Sequence, residues 1–340
     1  MSGPSRLRAL LDPSNPCIAM STHSPLSALL AARTPFPALW VSGFELAALH
    51  GVPDANIISY DTHLNLVRAI SDVMPAHHAV PPPESHNNTE PTNPAVQPTT
   101  PSPPLIADLD TGHGNAVNIT YIVPKYARAG ASAVVIEDKT FPKDSSLRPG
   151  GRQVLVSIQE FVGKIRAAKA AARTAVHDQR DALLVIARTE ALIAGLGLAE
   201  ARRRGMAYAA AGADAVLVHS KSVTAEEVVA FCEAWPEVGT EVEVEHEGKR
   251  VRVKVPPLVI VPTSYPEMSF EEWGKLGKVG LVICGNHAVR AAVRGMTDAF
   301  RRIKEEGGIK GVEGDIVGVE EIFELQGDRE MRMIEREFLR

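Results

Sequence analysis

Short apolar runs alternate along this chain with segments of helical length. Each run stops at polar residues, and the runs start at about Cys17, Ala38, Leu105, Ala133, Leu183, Ala215, Leu258 and Leu281. Strands separated by helices form parallel sheets, because a helix returns the chain to the edge where the next strand starts. Eight such units predict an α/β fold, a (β/α)8 barrel of the TIM type, with the polar residues gathered at the carboxyl ends of the strands.

Two neighbouring runs end at carboxylates. Asp108 and Asp110 follow the third run, and Glu137 and Asp138 follow the fourth. The carboxyl ends of the strands are where α/β barrels place their chemistry, so we expect three carboxylates to converge there. Converging carboxylates repel one another unless a cation neutralises them, and oxygen ligands suit Mg²⁺ or Mn²⁺. A divalent metal site is therefore the first functional expectation. The alternative is that these acids cap the following helices or lie in solvated loops.

Three further strand ends carry groups that suit an anionic ligand. Ser42, Gly43 and Phe44 follow the second run, where a glycine lets backbone N–H groups approach an anion beside a helix N-terminus. Arg188 ends the fifth run, where it either grips an anionic group in a bidentate manner or forms a salt bridge in the barrel mouth. His219 ends the sixth run, and a lone histidine there is either functional or a hydrogen-bonded structural group.

The composition argues against several other classes of protein. The 36 basic and 41 acidic residues give a net charge of −5 without a basic cluster, which argues against nucleic-acid binding. Cys17, Cys232 and Cys284 are too widely spaced for a zinc knuckle or a disulfide framework. No run reaches about 18 apolar residues, and the N-terminus lacks the apolar core of a signal peptide. We therefore expect a cytoplasmic protein with neither a membrane span nor a nucleic-acid partner.

Two insertions interrupt the single barrel that we predict over residues 1–310. Residues 81–104 contain nine prolines and only two charged residues, which predicts disorder; a proline-rich ligand for a partner domain is the alternative. Residues 239–256 alternate valine with charged residues and predict a surface β-hairpin without catalytic duty. Its predicted cross-strand charge pairs are Glu241 with Lys254, Glu243 with Arg252 and Glu245 with Arg250.

The motifs at the strand ends resemble a known superfamily. Asp108-Leu-Asp-Thr-Gly-His-Gly-Asn and Glu137-Asp-Lys-Thr-Phe-Pro-Lys are similar to stretches of the phosphoenolpyruvate mutase and isocitrate lyase superfamily. Within it the resemblance favours the phosphonopyruvate hydrolase family, because Asp-Ser-Ser-Leu-Arg follows Phe-Pro-Lys. Trp-Val-Ser-Gly-Phe-Glu-Leu and Val-Pro-Asp-Ala-Asn also resemble that family, so the likeness covers nearly the whole chain outside the two insertions.

The resemblance implies a metal and the acids around it. Asp108 is expected to be the main ligand of Mg²⁺, or of Mn²⁺ or another divalent ion, with Asp110 and Glu137 binding directly or through water. Asp54, in Val-Pro-Asp-Ala-Asn, is expected beside the metal, where it acts as base or nucleophile near the phosphoryl group; a turn or capping role is the alternative. Lys143 is expected to enter on a closing loop.

The same resemblance implies which residues hold the substrate. The group at the carboxylate end is Trp40, Ser42, Gly43 and Phe44, and the group around the phosphonate is Ser145, Ser146, Arg188 and His219. Mutases typically have Asn where this chain has Ser145, and the hydrolases have Thr. A serine keeps the hydroxyl, which can orient an attacking water. The expected catalytic set is Asp54, Lys143, Ser145, Arg188 and His219.

The implied reaction is hydrolysis of the P–C bond of 3-phosphonopyruvate to pyruvate and phosphate, through a pyruvate enolate that the metal stabilises. The C–C lyases of the superfamily carry a loop cysteine as their acid, whereas this chain has Phe141-Pro-Lys-Asp-Ser-Ser, which disfavours cleavage of an oxaloacetate-like acid. A phosphoenolpyruvate mutase is the main alternative, and a barrel that binds a metabolite without turnover is another. Formation of an aspartyl phosphate and direct attack by water both stay open.

The C-terminal residues bear on assembly. Residues 311–340 place apolar side chains along a charged helix, so we expect this tail to dock on another surface. The resemblance implies that a terminal barrel helix is exchanged between subunits. A homo-oligomer, a dimer of dimers, is therefore the expected assembly.

Overall fold

The computed structural model describes residues 1–74, 102–176, 178–246 and 248–339. The chain divides into two compact units, Met1–Asn286 and His287–Arg340. This division falls where the helix after the last barrel strand begins, whereas the sequence analysis placed the end of the barrel at residue 310. Of the proline-rich insertion expected over 81–104, residues 81–101 lie outside the described ranges.

Parallel strands close into a barrel in the first unit. The strands of the described residues are β1 (Cys17–Thr22), β2 (Ala38–Val41), β3 (Leu105–Asp108), β4 (Ala131–Glu137), β5 (Leu184–Thr189), β6 (Ala215–Val218), β7 (Glu241–His246), β8 (Lys249–Lys254), β9 (Leu258–Ile260) and β10 (Val279–Cys284). All except β7 and β8 belong to the barrel, in chain order, and β10 pairs with β1 to close it. The predicted (β/α)8 fold is confirmed.

Helices cover the outside of the barrel. Those of the first unit are α1 (Gly3–Leu10), α2 (Pro25–Arg33), α3 (Gly43–Leu49), α4 (Tyr60–Val73), α5 (Ala116–Arg128), α6 (Ile158–Thr174), α7 (Gly197–Ala210), α8 (Glu226–Ala234) and α9 (Phe270–Lys275). A short 3₁₀ turn at Gln179–Asp181 precedes β5. Helix α9 was not predicted from the sequence, although Ser269 and Glu272 form a capping box at its start.

Strand side chains alternate between the barrel interior and the surrounding helices. Trp40, Ile106 and Val135 belong to the interior cluster, whereas Leu39 and Val134 pack in the cluster that includes helix residues. Both faces of these parallel strands are therefore buried, which explains why they read as continuous apolar runs. Apart from Ser132 near the start of β4, the polar side chains of the barrel strands lie at or near their carboxyl ends.

The predicted hairpin forms from β7 and β8. Its antiparallel register opposes Glu241 to Lys254, Glu243 to Arg252 and Glu245 to Arg250, as the charge pattern predicts. The hairpin is not entirely a surface feature, because Val253 is buried and Val242 packs against an apolar cluster that contains Val255. The valine face of the hairpin therefore adds to the core, while the charged face is exposed.

The second unit is helical. It contains α10 (His287–Glu306), α11 (Val319–Leu325) and α12 (Asp328–Phe338). Its helices carry exposed apolar side chains, including Phe300, Phe323 and Phe338. No helix in the described parts of the chain is long and apolar enough to cross a membrane.

Candidate active site

Asp108, Asp110 and Glu137 lie at the ends of β3 and β4, whereas the Asp138 carboxylate binds Arg204 and Tyr208 instead. Asp108 is the last residue of β3, Glu137 is the last residue of β4, and these two strands are neighbours. The loop after β3 turns back onto β4, because the Glu137 N–H donates to the Asp110 carbonyl oxygen at 2.7 Å. Asp110 has a left-handed backbone with φ of 49°, a conformation that aspartate tolerates better than most residues. This turn keeps Asp110 beside Asp108.

Asp108 and Asp110 lie against the backbone of the second strand end. The Gly43 N–H donates to Asp108 Oδ2 at 3.3 Å, and the Asp110 N–H donates to Asp108 Oδ1 at 3.2 Å. A Cβ on Gly43 would stand 3.3 Å from Asp110 Oδ1 and 3.4 Å from Asp108 Oδ2, so glycine is what allows this close approach. Burial and the neighbouring charge of Asp110 raise the pKa of Asp108 to about 7.

Lys143 joins Asp54 to Asp110. Its Nζ lies 2.8 Å from Asp54 Oδ1 and 2.5 Å from Asp110 Oδ1, and all three side chains are largely buried. Asn56 completes this arrangement, because its Oδ1 accepts from the Lys143 N–H at 2.6 Å and its Nδ2 donates to Asp110 Oδ2 at 3.0 Å. Asn56 ends the Val-Pro-Asp-Ala-Asn motif, but no role was predicted for it from the sequence. Its backbone φ of 55° is a value that asparagine accepts readily.

A second cluster forms around Arg188, the penultimate residue of β5. Arg188 Nε lies 3.3 Å from Glu137 Oε2, so this cluster is continuous with the acids of β3 and β4. Arg188 Nη2 donates to Ser146 Oγ at 3.1 Å and lies 2.8 Å from His219 Nδ1. Three of the four residues expected around the phosphonate are therefore linked through Arg188, which contacts both Ser146 and His219.

Glu190 and Lys139 complete the second cluster, and the sequence analysis missed both. Arg188 Nε lies 2.5 Å from Glu190 Oε1, and Lys139 Nζ lies 3.0 Å from Glu190 Oε2. Both side chains are almost wholly buried. The sequence signal that could have indicated a role for these residues was their position, because Lys139 and Glu190 each lie within two residues of a strand end.

Ser145 stands apart from this cluster. Among the described residues its hydroxyl has no hydrogen bond, whereas its backbone carbonyl accepts from Gln153 Nε2 at 3.1 Å. The neighbouring Ser146 hydroxyl bonds Lys139, Arg188 and Glu190. The two adjacent serines therefore have different surroundings, which the sequence analysis did not distinguish.

The residues expected at the substrate's carboxylate end lie on β2 and at the start of α3. Ser42 caps α3 by accepting the Glu45 N–H at 3.2 Å, and its hydroxyl lies 3.5 Å from the Gly285 carbonyl oxygen. Phe44 is half-buried, and Trp40 is buried in the interior cluster. Of this set, only Gly43 has a polar contact with the acids in the described residues.

The donor set fits a hard divalent cation. Within the described ranges no three His, Cys, Asp or Glu side chains already form a metal-binding group, and Lys143 engages Asp110. However, Glu137 Oε1 is buried and has no hydrogen-bond partner among the described residues. The two clusters together bring five carboxylates to three cationic side chains. A divalent ion would balance that excess of negative charge and satisfy the orphaned oxygen.

Comparisons with known proteins identify relatives along the whole chain. Residues 7–304 match the family described as phosphoenolpyruvate phosphomutase. The chain is 48% identical over 334 residues to a phosphonopyruvate hydrolase of Variovorax sp. (strain Pal2), covering 98% of both chains. It is 34% identical over 338 residues to a phosphoenolpyruvate phosphomutase of Tetrahymena pyriformis, covering 98% of this chain and 94% of the relative.

Solved structures show the same relationship. A crystal structure of a phosphonopyruvate hydrolase complex with oxalate and Mg²⁺ matches with a TM-score of 0.79 and 46% identity, covering 100% of both chains. A phosphoenolpyruvate phosphomutase from Streptomyces platensis subsp. rosaceus matches with a TM-score of 0.81 and 37% identity, covering 99% of both chains. The chain belongs to the phosphoenolpyruvate phosphomutase family.

Proposed function

We propose that this chain is a hydrolase that cleaves the P–C bond of 3-phosphonopyruvate and releases pyruvate and phosphate. The observation that carries the proposal is the 48% identity to the Variovorax phosphonopyruvate hydrolase over 98% of both chains. Two phosphoenolpyruvate phosphomutases reach 34% and 36% identity. Because the sequence identity to these mutases is lower than the identity to the hydrolase, hydrolysis is favoured over isomerisation.

A divalent cation, Mg²⁺ in our proposal, is the cofactor. Asp108 is the main ligand, and Asp110 and Glu137 hold the ion directly or through water; the orphaned Glu137 Oε1 supports this assignment. When bound, the ion supplies positive charge beside the carboxylate and ketone oxygens of a 2-oxo acid, which stabilises the enolate that P–C cleavage leaves. The related hydrolase structure with oxalate and Mg²⁺ supports the choice of metal.

The chain's own residues hold the two ends of the substrate. Ser42, Gly43 and Phe44, with Trp40 behind them, bind the carboxylate end, since backbone N–H groups at the start of a helix suit an anion. Arg188, His219 and Ser146 bind the phosphonate end. The contacts of Arg188 with Ser146 and with His219 support a fixed anion-binding surface, which needs no rearrangement during the reaction.

Asp54 and Lys143 act at the phosphorus. The P–C bonding electron pair moves to C3 and forms the enolate, while an oxygen of water becomes bound to phosphorus; protonation of C3 then gives pyruvate. Asp54 either takes the proton of the attacking water or attacks phosphorus itself, and water then releases the phosphate. Lys143 holds Asp54 in place and enters on its loop, and the Ser145 hydroxyl orients the water.

Phosphoenolpyruvate mutase activity is the second candidate. The family matched by residues 7–304 carries that name, and the mutases among the relatives span nearly the whole chain. A mutase returns the phosphoryl group to the enolate oxygen, so it releases no phosphate.

Product analysis separates the two activities. The purified protein is incubated with 3-phosphonopyruvate and Mg²⁺, and the reaction is followed by ³¹P NMR with and without EDTA. We expect a phosphate signal that grows only when the divalent ion is present. A growing phosphoenolpyruvate signal would assign the mutase activity, and an unchanged substrate signal would reject both.

A further inference from the structure

Glu190 contacts the proposed phosphonate-binding side chains but has no role in the proposed function. It follows β5 directly and is 0% exposed. Oε1 lies 2.5 Å from Arg188 Nε and 3.3 Å from His219 Nδ1. Oε2 lies 3.0 Å from Lys139 Nζ and accepts a hydrogen bond from the Ser146 hydroxyl. One buried carboxylate therefore contacts all three side chains of the proposed phosphonate-binding surface.

The negative charge of Glu190 is balanced by Arg188 at Oε1 and by Lys139 at Oε2. Burial alone would raise the pKa of this carboxyl group, but the charges of Arg188 and Lys139 hold the pKa well below its usual range. The carboxylate is therefore anionic. Without it, the ammonium of Lys139 and the guanidinium of Arg188 would be neighbouring buried cations that lack this shared counter-charge, so Arg188 would move.

The contact between Arg188 and His219 fixes which imidazole nitrogen carries the proton. A guanidinium only donates hydrogen bonds, so Arg188 Nη2, at 2.8 Å, requires an unprotonated Nδ1 on His219. The alternative, donation from Nδ1–H to Glu190 Oε1, has the longer distance of 3.3 Å and excludes the contact with Arg188. The shorter contact selects neutral His219 with its proton on Nε2. Glu190 thus acts on His219 by holding Arg188.

We propose that Glu190 is a positioning residue that aims Arg188 at the phosphonate and, through Arg188, keeps His219 as the Nε2–H tautomer. The inference rests on the proposed function for its substrate, but the arrangement itself is a property of the chain. Among the described residues Glu190 has no hydrogen bond or ion pair with Asp108, Asp110 or Glu137, and it reaches the proposed metal ligands only through the 3.3 Å contact of Arg188 Nε with Glu137 Oε2. Loss of Glu190 therefore weakens recognition of the phosphonate more than it weakens binding of ligands that lack one.

Glu190→Gln tests this selectivity, because the amide keeps the shape and removes the charge. We expect kcat/KM for phosphonopyruvate to fall about a hundredfold, with KM raised, since misplaced binding groups cost about that much. Inhibition by oxalate, which has no phosphonate, should weaken much less, because Glu190 reaches the proposed metal ligand Glu137 only indirectly, through Arg188. An unchanged kcat/KM, or an equal loss of oxalate and substrate binding, would overturn the proposal.

Two control variants separate positioning from general damage to the fold. Glu190→Asp restores the charge on a shorter side chain, so its kcat/KM should lie between those of the wild type and Glu190→Gln. Trp235→Phe removes a buried hydrogen bond away from this cluster, from Trp235 Nε1 to the Pro256 carbonyl oxygen at 3.0 Å, and should leave the ratio of substrate to oxalate affinity unchanged. A Trp235→Phe variant with the same selective loss as Glu190→Gln would show that the effect is not specific to Glu190.

The tautomer is measured on the wild-type protein, independently of turnover. In ¹⁵N-histidine-labelled protein, the His219 signals are assigned by their absence in His219→Gln. We expect an unprotonated Nδ1 and a protonated Nε2 near neutral pH. A proton on Nδ1, in either the other tautomer or the imidazolium, would overturn the inference even if Glu190→Gln failed to fold. A wild-type protein without hydrolase activity would reject the proposed function and leave this measurement valid.

Discussion

At the scale of single residues, two cationic side chains hold together acids that would otherwise repel one another. Lys143 contacts Asp54 and Asp110, and Arg188 contacts Glu137 and Glu190. Opposite charges at these distances favour the ionised forms of buried groups. The site therefore depends on contacts between residues that lie far apart in the chain and on the loops that bring them together.

Asn56 links these loops, and we expect its amide to be needed for the rate. Asn56→Gly removes the hydrogen bonds to Asp110 and the Lys143 N–H but accepts the left-handed backbone, so only the amide is lost. We expect kcat to fall about tenfold to a hundredfold, because Lys143 is then held less accurately. The measurement is phosphate release at saturating substrate and Mg²⁺. Full activity in Asn56→Gly would contradict a positioning role.

Asn56→Asp serves as the matched variant. It keeps an acceptor for the Lys143 N–H but replaces the donor to Asp110 Oδ2 by an oxygen. Because two oxygens then face each other without a proton, we expect a loss of kcat at least as large as in Asn56→Gly. A milder loss in the aspartate variant would show that the contact with Asp110 contributes little.

The location of a site residue was predictable from the sequence where that residue lies at the end of a barrel strand. Asp108, Glu137 and Arg188 follow or end apolar runs, so the barrel alone brings them to one rim. Asn56 was not predictable from the same reasoning, because its contacts depend on a left-handed turn and on a distant loop. The difference between Ser145 and Ser146 also depends on loop geometry that a sequence pattern does not specify.

At the scale of elements, α4 is tied to the barrel by a buried histidine. His63 Nε2 lies 3.1 Å from the Val41 carbonyl oxygen at the end of β2, and Nδ1 lies 2.9 Å from the Tyr126 hydroxyl on α5. Since a carbonyl only accepts, Nε2 carries the proton. Burial lowers the pKa of His63 to about 4, so the folded protein keeps this histidine neutral in mildly acidic solution.

We expect His63 to destabilise the fold as the pH falls. The unfolded chain binds the proton below about pH 6.5 and the folded chain only below about pH 4, so the free energy of unfolding decreases across that window. Between about pH 7 and about pH 5 the contribution is on the order of 2 kcal/mol. Urea unfolding of the wild type and of His63→Gln, which cannot titrate, measures it. The same pH dependence in both proteins would contradict the assignment.

Elements were predicted well where burial imposes a pattern. The barrel strands read as apolar runs because both faces are covered, and the hairpin register follows from alternating valines and facing charges. Helix α9 was missed because its six residues are too few to show helical periodicity, and its capping box was the available signal. The packing of Val253 was missed because the alternation does not reveal what its valine face contacts.

At the scale of the whole molecule, the C-terminal helices expose large apolar side chains, which is relevant to oligomer formation. Phe300, Phe323, Met331 and Phe338 are each at least 45% exposed in the single chain. Large exposed apolar surfaces mark interaction sites. The sequence predicted an apolar tail, but a single chain does not identify the surface that receives it.

We expect a homo-oligomer, a dimer of dimers, in solution. Light scattering coupled to size exclusion should give a mass well above the 36.5 kDa of one chain. Replacing exposed phenylalanines, as in Phe300→Glu combined with Phe338→Glu, should lower that mass because charged side chains resist burial. Monomeric wild-type protein would contradict the expectation, and an unchanged mass in the variant would move the interface elsewhere.

The most direct measurement of the central claim is the reaction carried out in H₂¹⁸O. Hydrolysis of the P–C bond places an oxygen from water on phosphorus, whether water attacks first or releases the phosphate from Asp54. We predict free phosphate that carries one ¹⁸O atom, formed together with pyruvate and only with a divalent cation, as read by the isotope shift in ³¹P NMR. Unlabelled phosphoenolpyruvate as the product would contradict the claim.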